Sequence, residues 1–207
     1  MNGNAVGRYN KGCIDFKEDF MVREISLEVI RRCANNCVHC SSCSDVCRTD
    51  ILPYETFVNV ISDAARLGAK TICLSGGEPF LHKDIVKMVD FICSMGMDCY
   101  VYTSGIFLNS DGERASLPLV MLAEIKKSVT KLIFNVEAAT EHTYDKIMGT
   151  HGCFDIMCQS IRDTVNLGIC AEAHMVPMAL NIQEIPDVVA LCSRIGISRL
   201  RSYPQIK

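Results

Sequence analysis

Just past an apolar stretch that ends near Ile30, the chain reads Cys33-Ala34-Asn35-Asn36-Cys37-Val38-His39-Cys40. This CxxxCxxC spacing sets three thiolates on one short loop. There they can bind three corners of a cubane iron–sulfur cluster and leave the fourth iron without a protein ligand. An open coordination position is what a metal needs to bind and activate another molecule. The same loop also admits zinc, because Cys40 and Cys43 form a CxxC pair with Cys47 close by, although a structural zinc site wants four closed ligands. Cys43 and Cys47 read as spare thiols, with a second metal as the other reading.

A second candidate lies at Ser75-Gly76-Gly77-Glu78-Pro79. Paired glycines let a backbone approach a ligand closely and leave its polar groups available to it. Two further polar positions close apolar runs: Thr103-Ser104-Gly105, and Asn135 with Glu137.

These residues need a scaffold, and the strongest organisational signal is a repeated unit in which an apolar helical stretch stops at a glycine and a short strand follows. Gly68, Gly96, Gly168 and Gly196 are the stops. Each fits a left-handed helix C-cap, which a residue without Cβ adopts cheaply. The unit predicts strands at residues 22–30, 71–74, 99–102, 131–137, 170–176 and 199–203. The intervening helices fall at about 54–67, 83–95, 119–127, 154–167 and 185–195, with Asn181 and Glu184 as a capping box before the last. This is an α/β chain of five βα units plus a sixth strand, a partial (βα)6-type TIM-like parallel barrel whose strand ends form the site. In the first strand Ile25, Leu27 and Val29 alternate with Glu24, Ser26 and Glu28. The polar set suggests a wet inner face, the other reading being a solvent-exposed edge strand. Cys73, Cys99 and Cys170 in strands, and Cys158 and Cys192 at helical spacing, read as small core residues.

The cysteine loop after strand one and the glycine loop after strand two, in register with the βα period, resemble the radical S-adenosylmethionine (SAM) superfamily across nearly the whole chain. The resemblance implies that Cys33, Cys37 and Cys40 bind a 4Fe-4S cluster and that SAM chelates the unique iron through its amino and carboxylate groups. It places His39 where an aromatic residue commonly packs near the adenine. It carries the methionine amino group to Gly76, Gly77, Glu78 and Pro79. Thr103-Ser104-Gly105 resembles the family's Thr-Asn-Gly, with Ser104 in place of the amide, which leaves a side-chain contact there open. Asn135 and Glu137 stand where a polar residue meets the ribose, and Glu137 can accept from both sugar hydroxyls; its other reading is a buried carboxylate paired with Arg199 or Arg201. The implied reaction is reductive cleavage of SAM to a 5'-deoxyadenosyl radical that abstracts hydrogen from a substrate. An electron donor such as flavodoxin or ferredoxin is implied with it.

The bulk numbers bound the rest. With 207 residues, 49% hydrophobic and 22% charged, the chain holds one sizeable core, read as residues 22–207 behind an N-terminal extension of residues 1–21. A net charge of -3 with dispersed Lys and Arg gives no footprint for nucleic acid. No apolar run of membrane-spanning length and no signal peptide are evident, so the expectation is a soluble, cytoplasmic protein that does not engage a membrane. Thirteen cysteines without an export signal suit a reducing, low-oxygen compartment rather than a disulfide scaffold. The motifs most resemble the subgroup of molybdenum-cofactor biosynthesis protein A and the peptide- and protein-modifying maturases, so a peptide is among the candidate substrates. Ending soon after the sixth strand, the chain reads either as a compact enzyme or as a truncated core. In the second case it could be a non-catalytic iron–sulfur or zinc/SAM-binding module. A single cluster and slow SAM cleavage without coupled turnover are expected.

Overall fold

Alternating apolar residues drive six parallel strands to pack against helices, and a computed structural model describes residues 22–202 of the result. Its elements are β1 (Glu24–Ile30), α1 (Tyr54–Arg66), β2 (Thr71–Gly76), α2 (Ile85–Ser94) and β3 (Asp98–Thr103). A short antiparallel hairpin, β4 (Phe107–Leu108) and β5 (Arg114–Ala115), comes next. The chain continues through α3 (Leu119–Ile125), β6 (Lys131–Asn135), α4 (Glu141–Met148), α5 (Phe154–Asn166), β7 (Ala171–Met175), α6 (Ile185–Arg194) and β8 (Arg199–Ser202). The main sheet runs β1-β2-β3-β6-β7-β8 with every pairing parallel, and among the described residues β1 and β8 are its two edges. The expected partial barrel is therefore an open six-stranded sheet wound in one direction. The proposed extension at residues 1–21 and the end of the sixth strand at Tyr203 lie outside the described residues.

The helix-facing side of the sheet is the core. Ile72, Leu74, Cys99, Val101, Leu132 and Phe134 are fully buried there. Removing each from water stabilises the fold by about 1.5–3 kcal/mol for a side chain of Val to Phe size. The opposite face is polar, as the alternation predicts. It carries Glu24, Ser26 and Glu28 exposed on β1, and Lys131 and Glu172 buried on β6 and β7. Lys131 Nζ sits 3.0 Å from Glu172 Oε1 and 4.1 Å from the centroid of the Tyr100 ring. β1 is thus both things the sequence allowed, a strand with a polar inner face and an edge.

All four glycine stops take positive φ, between 74° and 87°. The departures from expectation have local causes. The second helix begins at Ile85 rather than Lys83, because Pro79–Leu81 first form a 3-10 turn capped by Glu78. α3 stops at Ile125, and β6 stops at Asn135, which leaves Glu137 beyond the strand. Cys170 precedes β7 and is exposed, so it is not a core residue. The β4–β5 hairpin and α4 were not anticipated. Asn109 Oδ1 folds the hairpin by accepting from the backbone N–H groups of Asp111 and Glu113. α4 is capped by the Thr140 side chain at one end and by Gly149 in left-handed conformation at the other.

The capping box expected before α6 does not form. Asn181 instead accepts from Met178 N–H and donates to the carbonyls of Glu137 and Val176. Glu184 reaches across to α4 and accepts from Ala139 N–H, Thr140 N–H and Thr140 Oγ1 at 2.9, 3.1 and 3.1 Å. Partial desolvation would raise its carboxyl, but these donors and Thr143 outweigh that and hold it below its ordinary value of 4.5. A carboxyl lowered in the folded state contributes stability above its unfolded pKa, and that contribution is lost as pH falls through the folded value. Glu184→Ala should cost about 1 kcal/mol at pH 7, kept small by solvent screening. In urea titrations the gap from wild type should close as the pH is lowered through the carboxylate range; a gap independent of pH would show that these bonds do not depend on the charge.

Candidate metal and cofactor site

The strand ends converge on an open cavity of about 240 Å³. Cys33, Cys37 and Cys40 line it, together with Ser75, Gly76 and Gly77 from the end of β2. The two expected loops therefore share one site.

The cysteine loop is held from three directions. Cys33 N–H donates to the carbonyl of Asp45, and Cys40 N–H to that of Cys37. The third hold comes from α4, whose last carbonyls accept from the loop: Asn36 N–H donates to Met148 O at 3.0 Å and Val38 N–H to Ile147 O at 2.9 Å. Contact is so close at the end of α4 that a Cβ on Gly149 would fall 2.1 Å from Asn36 O, at a φ of 64°. Gly149→Ala should therefore destabilise the protein by about 2–4 kcal/mol, from the left-handed backbone penalty plus the clash. It should also loosen the metal loop, so that iron content and melting temperature fall together. A variant with wild-type values of both would mean that the helix end and the loop move apart freely.

Two cysteine sulfurs already receive backbone N–H groups, Cys33 Sγ from Asn35 at 3.5 Å and Cys40 Sγ from Ser44 at 3.4 Å. Burial, then the neighbouring Glu78 charge, pushes the Cys33 thiol up to about 12, against the Asn35 N–H. Cys37 is pushed well above the ordinary thiol range by burial and by its neighbours Cys33 and Cys40. Without metal these two thiols hold their protons at neutral pH, and metal must displace them. The three thiols are thus close enough to feel one another. Among the described residues, however, no three Cys, His, Asp or Glu side chains gather around a point that one metal ion could occupy. A cubane takes each thiolate at a separate corner, whereas a zinc ion draws its ligands onto one centre. The donor set fits the cluster better.

The glycine loop is built on the chain leading into the cysteines. A Cβ on Gly76 would fall 2.2 Å from Ile30 O and one on Gly77 2.2 Å from Arg32 O, and Gly76 has φ 125°. Gly77 N–H and Glu78 N–H donate to those same carbonyls at 2.6 and 2.9 Å. The glycines are needed for backbone-to-backbone contact, and the exposed edge of that contact lines the cavity. Glu78 does not line it. Its buried carboxylate accepts from Thr103 Oγ1, Ser104 N–H, Ser104 Oγ and Phe80 N–H at 2.7, 2.9, 2.7 and 3.3 Å. Burial raises this carboxyl, and the four donors oppose the shift. Glu78 ties the glycine loop to the end of β3. Pro79, also buried, starts the 3-10 turn behind it. Ser104 reaches the cavity, with its hydroxyl committed to Glu78.

Asn135 and His39 line the far side, and Glu137 sits behind them, fully buried. His39 Nε2 lies 3.4 Å from Glu137 Oε1, Asn135 Nδ2 donates to the same oxygen at 3.3 Å, and Val176 N–H donates to Oε2 at 2.9 Å. The arginine pairing considered for Glu137 falls to Glu172, which has Arg201 Nε at 3.5 Å and Arg199 at 4.0 Å. Cys43 and Cys47 are exposed and lie outside the cavity. Sequence reasoning missed Met148, whose Sδ lies 3.7 Å from Cys37 Sγ, because the helix carrying it was not expected. It also passed over Asn35, which lines the same cavity.

A model of the Radical SAM superfamily matches residues 27–192. The Fe-coproporphyrin III synthase of Methanosarcina barkeri is 26% identical over 174 residues, covering 84% of this chain and 41% of that protein. A PqqA peptide cyclase of Methylobacterium sp. is 28% identical over 174 residues, covering 84% and 44%. The chain therefore spans less than half the length of these relatives. Streptococcus suis SuiB bound to S-adenosylmethionine superposes with a TM-score of 0.74 at 14% identity, over 90% of this chain and 41% of that one. SuiB bound to its precursor peptide SuiA gives 0.73 at 15% identity, over 89% and 39%. At such identity the likeness is one of fold.

Proposed function

Since the chain belongs to the radical SAM superfamily, we propose that its cavity holds a 4Fe-4S cluster on Cys33, Cys37 and Cys40 and binds SAM beside it, for hydrogen abstraction from a peptide. The observation that carries this reading is the meeting of three thiols and a glycine loop in one cavity at the strand ends. The backbone N–H groups aimed at two of the sulfurs add to it. Bound there, the cluster supplies a single electron to SAM, which the family uses to make a carbon-centred radical.

The chain's own residues then position and exclude. Ser75, Gly76 and Gly77 offer backbone polar groups to the methionine end of SAM, with Glu78 and Pro79 fixing the loop that carries them. Ser104 closes that side. His39 takes the adenine as a flat ring, and Asn135 takes the ribose with Glu137 holding both in place. On the inner face of the sheet, Tyr102 and Asn135 line the cavity and give a substrate polar partners rather than an oily wall. A peptide is the substrate class that the PqqA peptide cyclase and SuiB point to. Residues 22–207 form the catalytic core and residues 1–21 an extension to it, and a flavodoxin or ferredoxin supplies the electron. Among the described residues no helix is long and apolar enough to cross a membrane.

Anaerobic reconstitution tests the reading. The protein should take up about four irons per chain. With dithionite and SAM it should release 5'-deoxyadenosine and methionine slowly. A protein that loads iron and binds SAM yet never cleaves it would be a non-catalytic module, and one that takes up only zinc would end the proposal.

A further inference from the structure

Asn35 sits between the first two cysteines, is 2% exposed, and lines the cavity. Among the described residues neither its Nδ2 nor its Oδ1 has a hydrogen-bond partner. A buried carboxamide with both ends unsatisfied is costly, and native proteins rarely keep one without a partner arriving from elsewhere. Its surroundings identify that partner. The Asn35 backbone N–H already points at Cys33 Sγ, Ser44 N–H points at Cys40 Sγ, and Asn35 lines the same cavity as the three cysteines.

We infer that the Asn35 carboxamide donates its N–H to the sulfur shell of the bound cluster and makes the cluster easier to reduce. This rests on the cluster reading above. The physical reason is direct: one-electron reduction adds negative charge to the sulfurs, and a hydrogen-bond donor stabilises the reduced form more than the oxidised one. A donor held in a buried site is worth more than one in water, because its surroundings screen the added charge less. Asn35 is thus a positioning and tuning residue. It takes no part in breaking bonds, and its effect is on how readily the site accepts an electron.

The test compares wild type with Asn35→Ala, Asn35→Ser and Asn35→Asp, all reconstituted anaerobically without SAM. Reduced cluster is measured by electron paramagnetic resonance at fixed solution potentials. Relative to wild type, Asn35→Ala should show about a fivefold lower ratio of reduced to oxidised cluster at equal potential, with iron content unchanged. Asn35→Ser should recover part of the loss, and Asn35→Asp, which replaces the donor with negative charge, should lose more. If Asn35→Ala fails to load iron, the Ser and Asp proteins carry the comparison, and equal ratios in those two would overturn the inference. Unchanged ratios in a fully loaded Ala protein would also overturn it, as would unchanged ratios with weakened SAM binding, which would assign the amide to SAM. Failure of the wild type itself to load iron would instead sink the cluster reading.

Discussion

Reconstituted Cys37→Ala protein should contain almost no cluster iron, against about four per chain in wild type, and should lose the brown colour and SAM cleavage with it. Cys37 is the middle cysteine of the loop, and it is the one that α4 braces, with Met148 Sδ 3.7 Å from its sulfur. Removing it leaves two thiols in the cavity and would leave two irons of a cubane without a thiolate. Cys43 and Cys47 are the nearest spare thiols in sequence, but both are exposed and neither lines the cavity. Alanine at either of those positions should accordingly leave iron content unchanged. Iron near eight per chain in wild type, dropping when Cys43 and Cys47 are replaced, would show a second cluster on them. A coloured, SAM-cleaving Cys37→Ala protein would remove the three-cysteine assignment altogether.

Glu78→Ala should destabilise the protein by about 3–5 kcal/mol in chemical denaturation. The carboxylate is fully buried and receives four donors from Phe80, Thr103 and Ser104. Truncation strands those donors where water does not reach, and it cuts the tie between the glycine loop and the end of β3. SAM binding should weaken as well, because Ser75, Gly76 and Gly77 lose their backing. Glu78→Gln keeps one acceptor oxygen but turns an amide N–H toward Ser104 N–H, so it should fall between wild type and Ala. A Glu78→Ala protein as stable as wild type would mean that ordered water replaces the carboxylate and that the loop is set by its glycines alone.

Much of this was legible in the sequence, and the boundary follows the range of the interactions. The βα order, the four glycine stops and the two loops are local signals, carried by spacings of a few residues. The resemblance put Glu78 with the residues that meet the methionine amino group, and its contacts show it as the anchor of that loop. Local pattern failed where partners are far apart along the chain. Asn181 and Glu184 have the spacing of a capping box, yet Glu184 caps α4 about 44 residues away while Asn181 braces Glu137 and Val176. The glycines of the second loop looked like a ligand-binding device, and their stricter requirement is the carbonyls of Ile30 and Arg32. α4 escaped notice because it is eight residues long and polar, with Thr140 and Gly149 as its only sequence marks. Missing it hid the support of the cysteine loop and the place of Met148.

That support also bears on the order of events during synthesis. Cys37 and Met148 are 111 residues apart, and the loop's N–H groups at Asn36 and Val38 find their acceptors only when the end of α4 docks. Contacts of such sequence separation are slow to form, and a chain emerging from the ribosome makes its N-terminal contacts first. All three cysteines therefore leave the ribosome long before the clamp that shapes their loop exists. Metal delivered to the nascent chain would meet an unshaped loop, whereas metal delivered after β6 and α4 have folded would meet a formed one. Iron–sulfur insertion into this fold belongs after the docking of α4, once Met148 and Gly149 have closed on the loop.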